Sequence, residues 1–186
     1  MNKLKNNTIW GEGLVNKILQ GIKKLKKNPK WENPTHLFVG GSGYGHTIDF
    51  WRLLFPTTNV IGVDPQYDIH DYVIRSWDQA YNMVKPNDTV MVLFEWPNHG
   101  GYYPTPNWED IVVNKFENEL KLNKNNICFM AITGTESWIP CELSSKLTKN
   151  YNRIVWKTLK NPIIVHGWKY RLGFRIWIPH EKKILK

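Results

Sequence analysis

Between His36 and Asp64 the chain reads HLFVGGSGYGHTIDFWRLLFPTTNVIGVD, and few folds accommodate such a segment. The apolar run Leu37-Phe38-Val39 enters a glycine loop, Gly40-Gly41-Ser42-Gly43-Tyr44-Gly45. Ile48, Trp51, Leu54 and Phe55 then fall on one face of a helix. A second apolar run, Val60-Ile61-Gly62-Val63, ends on Asp64. The order strand, tight turn, helix, strand, acid predicts the opening unit of a parallel α/β sheet. Each part has a physical role. Glycine adopts positive φ without steric cost and lets a ligand approach the backbone. The start of a helix favours negative charge. An acid at the tip of the second strand accepts hydrogen bonds from ribose hydroxyls. Together the parts point to a ligand that contains adenosine. The alternative is a doubly wound domain whose glycine turn is structural only.

The spacing narrows the ligand. Gly41, Gly43 and Gly45 make G-x-G-x-G. A dinucleotide fingerprint needs glycine where this chain has His46. A P-loop needs Gly-Lys-Ser/Thr where it has Gly45-His46-Thr47. The segment resembles motif I of the class I S-adenosylmethionine-dependent methyltransferases. That resemblance implies S-adenosylmethionine as cofactor, with Gly40, Gly41, Ser42, Gly43 and Gly45 beside it and Asp64 on its ribose. It also implies that residues closing the third strand cradle the adenine. Trp77 would cover the ring and Asp78 would accept from its amino group. The alternative for that pair is Trp77 in the core and Asp78 capping a helix.

A chain of 186 residues is long enough for one domain with a sizeable core. Lys and Arg number 25 against 16 Asp and Glu, a formal charge of +9, which points toward an anionic partner, nucleic acid first. The alternative is a basic surface without a partner. Cys128 and Cys141 form no metal or redox spacing, so a reducing compartment is the simpler expectation. No apolar run spans a bilayer and no signal-peptide pattern is present, so the expectation is a soluble, cytoplasmic protein without a membrane partner.

Residues 1–34 read as a basic amphipathic helix and linker, and 35–186 as a single methyltransferase-like domain. Leu14, Val15, Ile18, Leu19, Ile22 and Leu25 recur at helical spacing, with Thr8 as candidate N-cap. Lys17, Lys23 and Lys24 occupy the opposite face, where they are the candidate RNA contacts. The bland reading is a helix packed on the sheet with its lysines in water. Strands are expected at Tyr72–Ile74, Thr89–Phe94 and Ile127–Ile132, and helices at Gln79–Val84, Trp108–Leu122 and Glu142–Lys149. Arg153–Leu159 and Tyr170–Ile178 look like a terminal antiparallel pair. The fold expected is α/β: a Rossmann-like, mostly parallel seven-stranded sheet with a C-terminal antiparallel strand pair and helices on both faces. The resemblance to the methyltransferase sheet covers roughly residues 35–180.

Thr89–Phe94 is apolar almost throughout, as a central parallel strand must be. It runs into Glu95-Trp96-Pro97-Asn98-His99-Gly100-Gly101-Tyr102-Tyr103-Pro104. In open α/β sheets function gathers at the carboxyl ends of strands. In the resembled family this loop faces the methyl acceptor, which makes Glu95, Asn98, His99 and Tyr102 the candidate catalytic residues. His99 is the candidate base because histidine titrates near neutrality. Some nucleic-acid enzymes of the family carry Asp/Asn-Pro-Pro-Tyr/Phe here. This chain has Glu-Trp-Pro-Asn instead, which argues against an ordinary exocyclic-amine methyltransferase. The viral-type RNA cap 2′-O-methyltransferases, a distant resemblance, use a lysine-aspartate-lysine-glutamate tetrad. Here the fifth strand supplies no lysine and the terminal strands no acid before Glu181. Two functional readings follow. One is an S-adenosylmethionine-dependent methyltransferase acting on RNA or another anionic substrate. The other is a catalytically atypical or inactive module that binds RNA or a protein partner.

Overall fold

The computed structural model describes residues 11–28, 31–43, 45–65, 70–95, 108–120, 122, 126–133, 147, 151–158, 163–165, 168–170 and 173–179. Thr8, Tyr44, Trp96, Asn98, His99, Tyr102 and nearly all of the helix expected at Glu142–Lys149 lie outside them.

Five apolar runs become the parallel strands β1 (His36–Gly40), β2 (Asn59–Val63), β3 (Val73–Ile74), β4 (Val90–Glu95) and β5 (Ile127–Thr133). Two more, β6 (Tyr151–Thr158) and β9 (Gly173–Pro179), complete the sheet. Among the described residues the sheet has seven strands in the order β3-β2-β1-β4-β5-β9-β6. Strand β9 lies between β5 and β6 and runs antiparallel to both. This is the expected Rossmann-like arrangement. Between β6 and β9 the chain makes a separate antiparallel pair, β7 (Ile163–Val165) with β8 (Trp168–Tyr170). The terminal pair therefore differs from expectation: Tyr170 belongs to this hairpin, and the sheet strand begins only at Gly173.

Side chains alternate between two cores. On one face Leu37, Val39, Met91, Leu93, Met130, Ile132, Phe174 and Ile176 meet helices α1 (Gly11–Leu25) and α2 (Ile48–Leu54). On the other, Phe38, Val63, Val92, Phe94, Phe129 and Trp177 meet α3 (Trp77–Met83) and α4 (Trp108–Asn114). Helix α1 buries Leu14, Val15, Ile18, Ile22 and Leu25 against β6 and β9, one stripe of a 3.6-residue period. Each such side chain contributes about 1.5–3 kcal/mol. Its lysines face outward: Lys23 and Lys24 are exposed and Lys17 is half-buried. The fourth helical segment also departs from expectation. It is α-helical only to Asn114 and continues as one wide π turn, Lys115–Glu119. That turn carries Phe116 into contact with Phe38, Trp77 and Tyr81, at ring-centroid distances of 5.9, 6.3 and 5.3 Å.

Strand β4 is central and buried at all six positions. Alternation places Val90, Val92 and Phe94 toward the second core and Met91 and Leu93 toward the first. Glu95 therefore points to the α2 side. Among the described residues no helix is long and apolar enough to cross a membrane.

Candidate functional site

The carboxyl ends of β1, β2 and β4 come together around the glycine loop. Gly41, Gly43 and Gly45 have φ of 76°, 55° and 78°, a region that residues with a Cβ rarely adopt. The G-x-G-x-G spacing thus marks three left-handed residues in five. The loop is tied down along its length. Gly41 N–H donates to Val63 O (3.0 Å) at the end of β2. Gly45 N–H donates to Ser42 O (3.0 Å), and Ile48 N–H to Gly45 O (3.0 Å), which starts α2. Asp64, one residue past β2, accepts the Gly43 N–H at 2.8 Å through Oδ2. The acid predicted for a ribose is thus also a brace for the loop. A carboxylate offers about four acceptor positions, and Gly43 takes one.

Two glycines are required by close approach. A Cβ on Gly45 would lie 2.7 Å from His70 Cγ, and one on Gly62 would lie 2.5 Å from Ser42 Oγ. Gly43 differs: among the described residues a Cβ there would meet nothing within 4 Å. The loop is closed beneath and open above Gly43. Ser42 is buried, and its hydroxyl has no hydrogen-bond partner among the described residues. That hydroxyl lies beneath the loop against Gly62 of β2, so the open side at Gly43 is left to the main chain.

Glu95 occupies a different setting from the one expected. It ends β4 with 1 % exposure. Thr47 Oγ1 donates to its Oε2 at 2.6 Å, and Trp51 Nε1 donates to its Oε1 at 2.8 Å. Both donors are themselves buried. Thr47 is the N-cap of α2, yet its hydroxyl makes no cap bond to that helix, because it is directed to Glu95. Burial pushes the Glu95 carboxyl up to about 7, against the two hydrogen bonds, which pull it down. Glu95 thus faces α2 from inside the protein. Its expected partners in the loop after β4, Asn98, His99 and Tyr102, lie outside the described residues.

The pair expected beside an adenine, Trp77 and Asp78, is also placed. Ser76 is the N-cap of α3 in a reciprocal capping box with Gln79, so Asp78 is not the cap; it stands exposed in the first turn. Trp77, the first helical residue, is half-buried. Its ring stacks on Tyr81 (6.1 Å) and meets Phe38 and Phe116 edge-on (6.4 and 6.3 Å). Lys23 and Lys24 of α1 lie apart from the loop. Lys26 Nζ sits 5.5 Å from the Phe55 ring centroid, just past the C-terminal end of α2. Helix α2 runs back from the glycine loop, so Lys23 and Lys24, in the last turn of α1, stand near the amino ends of the parallel strands.

The residues that sequence reasoning missed are Thr47, Trp51 and His70. Thr47 and Trp51 are four apart on one helix, a spacing that puts them on one face. That signal was available, but their common partner lies 44 and 48 residues away and only the sheet order reveals it.

No family model matches the sequence, and no curated protein sequence matches it. Solved structures do. A Thermoplasma acidophilum protein superposes with a TM-score of 0.58 at 9% identity, over 97% of this chain and 98% of that one. The fibrillarin/Nop5p complex gives 0.52 at 7% identity, over 89% and 82%. The N-terminal domain of human METTL16 in complex with SAH gives 0.50 at 9% identity, over 91% and 71%. At such identities the likeness is one of fold, and it extends over most of each chain.

Proposed function

We propose that this chain is an S-adenosylmethionine-dependent methyltransferase acting on RNA or another anionic substrate. The observation that carries the reading is the glycine loop, with three left-handed glycines of which Gly43 is braced by Asp64 and has room for a Cβ. The METTL16 domain, solved with SAH, shares the fold. The loop fits the implied cofactor. A Cβ at Gly43 would fill space that a ligand can occupy. Gly40, Gly41, Ser42, Gly43 and Gly45 would hold the ligand against the main chain, and Asp64 would accept from its ribose hydroxyls. Asp78 is the proposed acceptor for the adenine amino group, on a turn whose place Trp77 fixes through its ring contacts. When bound, the cofactor supplies the activated methyl group.

Such a transfer asks little of the protein beyond alignment. A base is needed only where the acceptor proton is not acidic enough. Asn98, His99 and Tyr102 are proposed on the acceptor side, with His99 as the candidate base. The net charge of +9 favours a polyanion. Helix α1, with 15 residues, is about 22 Å long. Lys17, Lys23 and Lys24 along it suit a nucleic acid that extends well beyond the reacting nucleotide.

The test is transfer of labelled methyl from S-adenosylmethionine to a mixed RNA pool. Label should enter RNA at low salt and fall steeply as salt rises. A protein that binds the cofactor but labels no RNA would support the second reading, a binding module. One observation favours that reading: Glu95, the last described residue before the acceptor loop in sequence, engages Thr47 and Trp51 with its two carboxylate oxygens.

A further inference from the structure

We propose that Glu95 is a positioning residue, which pins α2, and with it the glycine loop, to the end of the central strand. It rests on the cofactor reading only for the binding arm of its test. Helix α2 has seven residues, too few to hold together alone. Its N-cap makes no side-chain cap bond. The glycine loop before it contains three left-handed glycines, so its own preferences fix little of its shape. The shape must be imposed from outside at several points. At the strand end it is held by Gly41 N–H on Val63 O, and in the middle by Gly43 N–H on Asp64. At the helix end the side-chain anchor is Glu95, reached by Thr47 at 2.6 Å and by Trp51 at 2.8 Å.

The choice of a carboxylate is informative. Burying one is costly, and an apolar residue of similar volume at the end of β4 would pack without that penalty. A carboxylate does what a leucine cannot. It fixes two donors one helical turn apart, and so sets both the rotation and the height of α2. Glu95 also continues by its main chain into the proposed acceptor loop, at Trp96. Its side chain holds the cofactor loop while its backbone leads to the acceptor side. Glu95 thereby acts on the cofactor loop without touching the ligand.

The test compares wild type with Glu95→Ala, Glu95→Gln and the isosteric Thr47→Val, each checked to be folded by circular dichroism. It uses S-adenosylhomocysteine titration and amide hydrogen exchange. Glu95→Ala should bind about tenfold or more weakly, and the amides from Gly41 to Ile48 should exchange about tenfold faster, while those of Met91–Leu93 keep their rates. Thr47→Val should move both readouts in the same direction. It also carries the test should Glu95→Ala fail to fold. Glu95→Gln, which keeps an acceptor for Trp51 and a polar group for Thr47, should restore both to within about threefold. Wild-type affinity and exchange in folded Glu95→Ala or Thr47→Val would overturn the proposal. So would exchange that rises equally in the loop and in β4, the pattern of general destabilisation. If wild type binds no adenosyl ligand, the cofactor reading fails, and exchange in the loop alone decides the role of Glu95.

Discussion

Replacing Glu95 by Gln should change how stability depends on pH, in a direction that burial dictates. In the fold the carboxyl titrates at about 7, against an ordinary value of 4.5. Between these two pH values the folded chain holds a proton that the unfolded chain has lost. Stability therefore falls as pH rises through this window, by about 1.4 kcal/mol per pH unit. The contribution is fully present below pH 4.5 and is lost above 7, about 3 kcal/mol in all. Glutamine keeps the shape and carries no charge. Urea unfolding at pH 4.5 and pH 8 should show the variant close to wild type at the lower pH and up to about 3 kcal/mol more stable at the higher. His36 works in the opposite sense, because burial lowers its pKa, but it is present in both proteins and cancels in the difference. Parallel stability–pH curves would refute the reasoning, since they would mean that Glu95 titrates alike in both states.

Two glycine substitutions should separate folding from binding. Gly45→Ala combines a left-handed φ with a collision at His70 and should cost about 3 kcal/mol in thermal or urea unfolding. Gly43→Ala, with φ of +55° and open space, should cost about 1 kcal/mol yet weaken S-adenosylhomocysteine binding about tenfold or more by filling the ligand's place. Equal stability losses, or undiminished binding in Gly43→Ala, would contradict this account of the loop. Lys23→Glu with Lys24→Glu should weaken RNA binding and reduce the slope of log affinity against log salt by about 2, measured by fluorescence anisotropy. An unchanged slope would place the RNA elsewhere.

The fold was legible where local signals agree. Each parallel strand is an apolar run bounded by polar or turn residues, and the glycine loop announces the first turn. The missed hairpin has a signal of this kind, because Gly167 separates Ile163–Val165 from Trp168–Tyr170, but Tyr170 continues without a gap into the pattern of β9. The π turn at Lys115–Glu119 has none: Phe116 and Leu120 fit an ordinary helix, and the aromatic cluster that receives Phe116 is assembled from two other elements, β1 and α3. Asp64 was legible as the acid that ends β2, while its bond to Gly43 depends on the path of the loop in space. Glu95 was legible as the residue that closes β4. Its direction was not, since that depends on which face of the strand α2 covers and on Thr47 and Trp51 arriving there.

The central claim is that the glycine loop holds an adenosyl ligand with Asp64 on its ribose. Calorimetric titration of S-adenosylhomocysteine tests it most directly. At about 100 μM protein a site of ~10 μM affinity gives a plain isotherm. Wild type should show one site, and Asp64→Ala should bind about 10–100-fold more weakly, the equivalent of about 1–3 kcal/mol for an unmet hydrogen-bonded group. No heat from wild type, or equal affinity in folded Asp64→Ala, would contradict the claim.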